Sequence, residues 1–135
     1  MSNITQVVRT DKNMTTLKQS VIASGLDQVL TANGPYTLLA PSDTAFGKLE
    51  GDTLVNLLKP ENKVQLTHLL QQHVVIGKVN FKDLKDGEKL TTLLGKHLSV
   101  KIQDGKVSID NATIQTQDIH ASNGVIHSLD TVLAN

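Results

Sequence analysis

Five histidines, His68, His73, His97, His120 and His127, are the side chains best suited to chemistry near neutral pH. Two uses are open to them, metal ligation and proton transfer. A helical metal pair needs two imidazoles one turn apart, as in His-x3-His, and a hydrolytic zinc site needs His-Glu-x-x-His. Neither pattern occurs. His68 and His73 are five residues apart, which turns them roughly 140° from one another on a helix. We therefore expect no metal. His73 and His127 each lie within an apolar segment, where a buried imidazole needs hydrogen-bond partners, so both are expected to hold the fold. Ser42-Asp43 resembles part of a nucleophilic triad, but no Gly-x-Ser-x-Gly elbow is present. Helix capping explains both residues better, with Ser42 as N-cap and Asp43 in the first turn, where the helix dipole favours negative charge. Asp43, Glu50 and Asp130 show no spacing that marks a facing carboxylate pair. The chain has no cysteine, which removes disulfides, thiolate metal sites and thiol nucleophiles together. No enzyme activity and no cofactor are expected.

The elements that carry these residues change character along the chain. Met14, Leu17 and Val21 share one helix face, and Gly25 is a natural stop. Leu26, Val29 and Leu30 form a second short face, broken by Asn33-Gly34-Pro35. Tyr36 to Ala40 is a compact strand ended by Pro41. Leu54, Leu57 and Leu58 mark a helix after Gly51-Asp52. Leu66, Leu69, Leu70 and His73 mark another, with His73 on its buried side. The period then becomes two. Leu98, Val100 and Ile102 alternate before Asp104-Gly105, and Val107 and Ile109 alternate after it. Asp-Gly is a strong hairpin signal, pairing Ile102 with Val107 and Val100 with Ile109, all apolar residues on one face. Ile114 to Ile119 is a strand whose alternation slips, as through a bulge. Asn123-Gly124 turns the chain into a last strand, Val125 to Leu129, with Val125, His127 and Leu129 on one face. No repeat or linker divides the chain, so residues 3–135 read as a single α+β domain, helices first and a mainly antiparallel sheet second.

Three segments resemble the fasciclin-like (FAS1) domain family. Tyr36-Thr37-Leu38-Leu39-Ala40-Pro41-Ser42-Asp43-Thr44-Ala45-Phe46 is similar to the family's first signature, a strand running through Ala-Pro into a capped helix ending in Ala-Phe. Asn123-Gly124-Val125-Ile126-His127, with the strand and Val132-Leu133 that follow, is similar to the second. His73-Val74-Val75 resembles the family's Tyr-His segment, with Gln72 in place of its Tyr. The resemblance implies a wedge of about seven strands in two sheets with helices packed on one side. It also implies non-catalytic adhesion to a protein or glycan partner at the cell surface or in the extracellular matrix. Asp118-Ile119 matches an Asp-Ile pair that precedes the second signature in the family. The resemblance thus implies an integrin-type contact through Asp118, Ile119, His73, Val74 and Val75. His120 and Gln72 depart from the family pattern, which favours a generic adhesive surface over that contact. Asp118→Ala is expected to weaken adhesion with little effect on stability, whereas Ile119 reads first as ordinary core, and Ile119→Ala is expected to destabilise the fold if that residue is buried. The structural motif residues are Tyr36, Ala40, Pro41, Ser42, Asp43, Phe46, Asn123, Gly124 and His127.

Composition sets the remaining bounds. The 135 residues carry thirteen Lys+Arg and thirteen Asp+Glu, a formal net charge of zero. Leu, Val and Ile supply 40 residues, enough for an aliphatic core. Zero net charge and only three aromatics, Tyr36, Phe46 and Phe81, argue against nucleic acid as a partner. No apolar run approaches the roughly 20 residues of a membrane span. Met1-Ser2-Asn3-Ile4 lacks the basic and apolar regions of a signal peptide. The sequence thus reads as an intracellular protein or as a mature segment of a secreted or anchored one, and the family resemblance implies the second. Seven of the twelve lysines fall between Lys78 and Lys106, interleaved with acids. That stretch reads as a solvated surface or as a weak basic patch for acidic polysaccharide or anionic lipid. Asn3, Asn13 and Asn111 match the N-glycosylation pattern. The alternative function is a small-ligand or lipid-binding domain. It requires a pocket above roughly 300 Å³ between helices and sheet, lined by Leu and Val.

Overall fold

The computed structural model describes residues 3–31, 34–48, 53–110 and 112–133. Asn33, Glu50, Gly51, Asp52 and Asn111, named above, lie outside the described residues, as does the side chain of Leu54. Six helices are described: α1 (Ile4–Thr10), α2 (Thr15–Ser24), α3 (Leu26–Val29), α4 (Asp43–Gly47), α5 (Thr53–Leu57) and α6 (Lys63–Gln71). The strands are β1 (Tyr36–Pro41), β2 (Val74–Ile76), β3 (Lys89–Thr91), β4 (His97–Gln103), β5 (Lys106–Ile109), β6 (Ala112–Ala121) and β7 (Gly124–Leu129). Single 3-10 turns lie at Pro60–Asn62 and Phe81–Asp83.

The seven strands form one hydrogen-bonded ribbon in the order β2-β1-β7-β6-β5-β4-β3. Every neighbouring pair is antiparallel except β1 and β7, which run parallel from Tyr36↔Gly124 to Pro41↔Leu129. The ribbon folds back until its ends nearly meet, with Val75 bridging Thr92 and the Leu93 N–H donating to the Val74 carbonyl at 2.9 Å. The two layers implied by the family resemblance are therefore two halves of a single, almost barrel-shaped sheet.

Strand alternation distributes the core on either side of the β1–β7 half. Leu38, Ala40, Val74 and Ile126 point to the helices and pack with Ile4, Leu17, Val21, Leu26, Leu66 and Leu70. Leu39, Val75 and Leu129 point the other way, onto Leu98, Val100, Val107 and Ile109 from the folded-over half. With both faces covered, β1 and β7 have almost no solvent-facing positions, which is why they read as near-continuous apolar runs.

The local expectations hold at most positions. Gly25 ends α2 with φ +80°. Asp104 and Gly105 both take positive φ, and the hairpin pairs Ile102 with Val107 and Val100 with Ile109. The β6–β7 register shifts between Ile114 and Ile119, the irregularity expected there. Val29 differs: it is 38% exposed while Leu26 and Leu30 are buried. A single helical turn aims only one edge at the core, and α3 aims the edge carrying Leu26 and Leu30. His73 lies just past the end of α6 and is fully buried.

Candidate functional site

The corner where β1 becomes α4 brings the first signature against the α1–α2 connection and the bulged strand β6. The Ser42 hydroxyl accepts from the Ala45 N–H at 3.3 Å, the expected N-cap, and donates to Gln115 Oε1 at 3.3 Å. Asp43 does more than sit in the first turn of its own helix. Its Oδ1 accepts from the Thr16 N–H at 2.9 Å and its Oδ2 from the Thr15 hydroxyl at 2.8 Å, so it caps α2. Met14, the residue before α2, offers no capping side chain. Burial pushes the Asp43 carboxyl up, but the bonds donated by Thr16 and Thr15 outweigh it and hold the group below its ordinary value. A cleft of about 340 Å³ opens here, lined by Asn13, Ser42, Asp43, Thr44, Gln115 and Ser128, with Met14 and Ile119 as its apolar members.

The bulge in β6 sets Asp118 and Ile119 on different tasks. Ile119 is half-buried, packs against the helix-side core and reaches the cleft. Asp118 takes φ +55°, a conformation most L-residues avoid and Asp tolerates. Its N–H donates to His127 Nδ1 at 3.1 Å, and its Oδ1 accepts from the Phe81 N–H at 2.9 Å. The carboxylate therefore has a backbone partner, and Asp118→Ala cannot be free of a stability cost as the sequence reading had it. His127 is fully buried, as expected, with Nε2 2.8 Å from the Val79 carbonyl and the Phe81 ring edge-on at 6.5 Å. Burial holds its pKa below the ordinary value, against the opposing pull of the Val79 carbonyl and the Asp118 charge.

The other motif residues lock elements together. The Asn123 side chain accepts from the Ile4 N–H at 2.9 Å and donates to the Leu30 carbonyl at 2.6 Å, tying α1 and the end of α3 to the turn before β7. The Asn123 backbone carbonyl accepts from the Tyr36 N–H at 3.0 Å. A Cβ on Gly124 would run into the Tyr36 carbonyl oxygen, so glycine is what lets β7 lie against β1. Ala40, Pro41 and Phe46 are buried, and Tyr36 is half-buried. His73 Nε2 accepts from the Leu133 N–H at 2.8 Å, and its Nδ1 lies 2.7 Å from the Leu69 carbonyl, pinning the chain's end to α6. Val74 and Val75 face opposite core clusters. Ile76, at 58% exposure, is the apolar residue this segment shows to solvent.

The fold thus gathers Ser42, Asp43, Ile119 and Ser128 around one cleft, and Asp118 and His127 at the adjoining bulge. It sends His73, Val74 and Val75 into the interior. The sequence reading missed Asn13 and Gln115 as cleft residues. It also missed the reach of Asp43 to α2, although an uncapped Met14-Thr15 start pointed to a cap supplied from elsewhere. The hydrogen bonds of Ser42 go to Ala45 and Gln115, the arrangement of a cap.

The comparisons agree with this architecture. The fasciclin domain model matches residues 12–135. Protein sll1483 of Synechocystis sp. is 41% identical over 130 residues, covering 96% of this chain and 72% of that protein. The uncharacterized protein sll1735 of the same organism is 37% identical over 133 residues, covering 98% of each. Transforming growth factor-beta-induced protein ig-h3 of Sus scrofa is 37% identical over 134 residues, which are 98% of this chain and 19% of that protein. Among solved structures, the FAS1 domain pair from the insect cell adhesion molecule fasciclin I shares the fold at TM-score 0.89 and 19% identity, over 99% of this chain and 51% of that one. With the family model spanning every element after α1, and both signatures side by side on β1 and β7, this chain belongs to the fasciclin domain family.

Proposed function

We propose that this domain is a non-catalytic adhesion module, binding a protein or glycan partner at a cell surface or in the extracellular matrix. The observation that carries the reading is the filled interior. Both core clusters are packed with aliphatic side chains, and the cleft beside the signatures is open and lined mostly by hydroxyl, amide and carboxylate groups. Such a surface suits reversible hydrogen bonding to a partner. A lipid or small apolar ligand would need a Leu- and Val-lined pocket, and this cleft has the size without the lining. One of the matching solved structures points the same way, since it comes from a cell adhesion molecule. Asp118 and Ile119, at the bulge beside the cleft, are the proposed partner contact, of integrin type or more general, with the His73-Val74-Val75 segment supporting it from within. Presentation outside the cell, secreted or anchored, follows from this reading, and no described helix is long and apolar enough to cross a membrane. The test is adhesion of cells or matrix to the immobilised domain against a control with shuffled surface residues. Adhesion above that control supports the reading, and equal adhesion by both defeats it.

A further inference from the structure

The β3–β4–β5 half of the sheet turns one face to the core and the other to solvent, and the solvent face carries an ordered row of cations. Lys89 on β3 lies opposite Ser99 on β4. Lys101 is two residues beyond Ser99 and lies opposite Ser108 on β5. Lys106 is two residues before Ser108 and lies opposite Gln103. Each lysine is therefore the diagonal neighbour of the next, about 7–8 Å away. Both steps move one strand across and two residues along in the same direction, so the row is straight and spans roughly 15 Å.

All three lysines are exposed. Among the described residues, none has a carboxylate within 4.0 Å of its ammonium. The nearby acids are partly committed to backbone: Asp110 accepts from the Ser99 N–H at 2.8 Å, Asp86 from the Ile102 N–H at 2.9 Å and Asp83 from the Asn80 N–H at 3.2 Å, while Glu88 lies beside Lys89. Asp104 stands exposed in the turn at the end of the row. A shallow groove of about 410 Å³ runs past Lys101, Gln103, Lys106, Ser108 and Thr113, with Asp104 and Asp110 also in its lining.

We propose that this face is a track for an extended anionic polysaccharide. A straight line of lysine positions at even diagonal register, with no carboxylate among the described residues paired to them, complements a chain with anions at regular intervals. A single small anion needs converging donors instead. Hydroxyl and amide groups of Ser99, Ser108, Gln103 and Thr113 flank the row and can bond to sugar hydroxyls. No Phe, Tyr or Trp ring lies on the face to stack a base, since Phe46 is buried and Tyr36 and Phe81 are half-buried on other elements; the exposed His97 at the near end of β4 is the one ring there among the described residues. The inference rests on the adhesion reading for its place in the cell and names the partner class for it.

The test measures binding of the whole chain to dextran sulfate, to alginate and to neutral dextran, at about 20 mM and about 300 mM salt. We expect binding to the charged polymers at low salt, loss at high salt, and none to neutral dextran. Retention on only one charged polymer also supports the inference and identifies its anion as sulfate or carboxylate. Changing Lys89, Lys101 and Lys106 together to Gln should weaken binding about tenfold or more, while changing all three to Arg keeps it. Changing Lys12, Lys48 and Lys59 to Gln removes the same charge from exposed helix-side positions and should leave binding within about twofold. Melting curves should match for all variants. Equal loss in the two Gln variants, no binding by the natural chain, or equally tight binding to oligothymidine or to phosphatidylserine vesicles overturns the inference. Adhesion that persists without dextran sulfate or alginate binding removes the track and leaves the adhesion reading standing. Row-dependent binding without cell or matrix adhesion does the reverse.

Discussion

At the residue scale, the two buried histidines are held as neutral tautomers by opposite ring nitrogens. His73 must carry its proton on Nδ1, because Nε2 accepts from Leu133, and His127 must carry it on Nε2, because Nδ1 accepts from Asp118. Protonating either removes the lone pair its backbone donor needs. Burial lowers the His73 pKa to about 4 from an ordinary 6.5, and lowers His127 from the same value. The unfolded chain therefore takes up these protons first as pH falls, and stability drops with it. We expect unfolding stability to be flat above about pH 7 and to fall from about pH 6.5 toward pH 4, His73 alone contributing on the order of 3 kcal/mol. Urea unfolding across that range checks this, and an unchanged midpoint from pH 7 to pH 4.5 contradicts it. Asp43 acts with the same sign in a more acid window, its contribution being present above its ordinary value of 3.8 and lost as pH falls through its lowered folded value. Removing the His127 ring as His127→Ala leaves the Asp118 N–H and the Val79 carbonyl without partners, at a cost of about 1–3 kcal/mol. A loss below about 0.5 kcal/mol would belong to a solvated residue. Asp118 separates structure from recognition. Asp118→Asn keeps an acceptor for Phe81 and tolerates positive φ, so stability should stay within about 0.5 kcal/mol while adhesion falls. Asp118→Ala should cost about 1–2 kcal/mol as well. Unchanged adhesion by folded Asp118→Asn places the contact elsewhere.

At the element scale, the parallel β1–β7 pair is the junction of the fold. The pair brings the two signatures into register, and its closeness depends on one missing side chain. Gly124→Ala would drive a methyl group into the Tyr36 carbonyl oxygen, and backbone cannot step aside as a flexible side chain can. We expect a loss of about 3 kcal/mol or more, at the upper end of overpacking costs. Gly105→Ala is the control: it meets open space at the hairpin tip, with φ +79°. It should cost only the left-handed backbone penalty of about 1–2 kcal/mol. Thermal unfolding of the two variants side by side decides the matter, and equal costs would show that the β1–β7 contact is not the constraint.

At the scale of the whole molecule, the helices act as a lid over one face of the β1–β7 half. Ile4, Val8, Met14, Leu17, Val21, Leu26 and Leu30 all belong to the helix-side core. Deleting residues 3–32 uncovers Leu38, Ala40 and Ile126 and strips Asn123 of its Ile4 and Leu30 partners. The remainder should be insoluble or molten, binding a hydrophobic dye and losing near-ultraviolet circular dichroism. A cooperative melting transition in the truncated chain would contradict that architecture. The polar cleft and the lysine row lie on different parts of the domain, so changes at one should leave the other's binding intact.

What the residues determine alone is what depends on neighbours in sequence. The Asp104-Gly105 hairpin and its register, the Gly25 helix stop, the Ser42 cap and the slip in β6 are each legible because a turn, a cap or a period of two involves residues a few positions apart. The burial of His73 and His127 was legible too, from their apolar surroundings. The partners of those side chains were not. Asp43 capping α2, Asp118 serving Phe81 and His73 holding Leu133 join residues 27, 37 and 60 positions apart. No local pattern encodes such distances. Only the tertiary structure decided that the first and last strands lie parallel, that one ribbon supplies both layers, and that three scattered lysines form a line. Each depends on which strand edges meet when the ribbon folds over its two cores, and that choice is made by the packing of the whole chain at once.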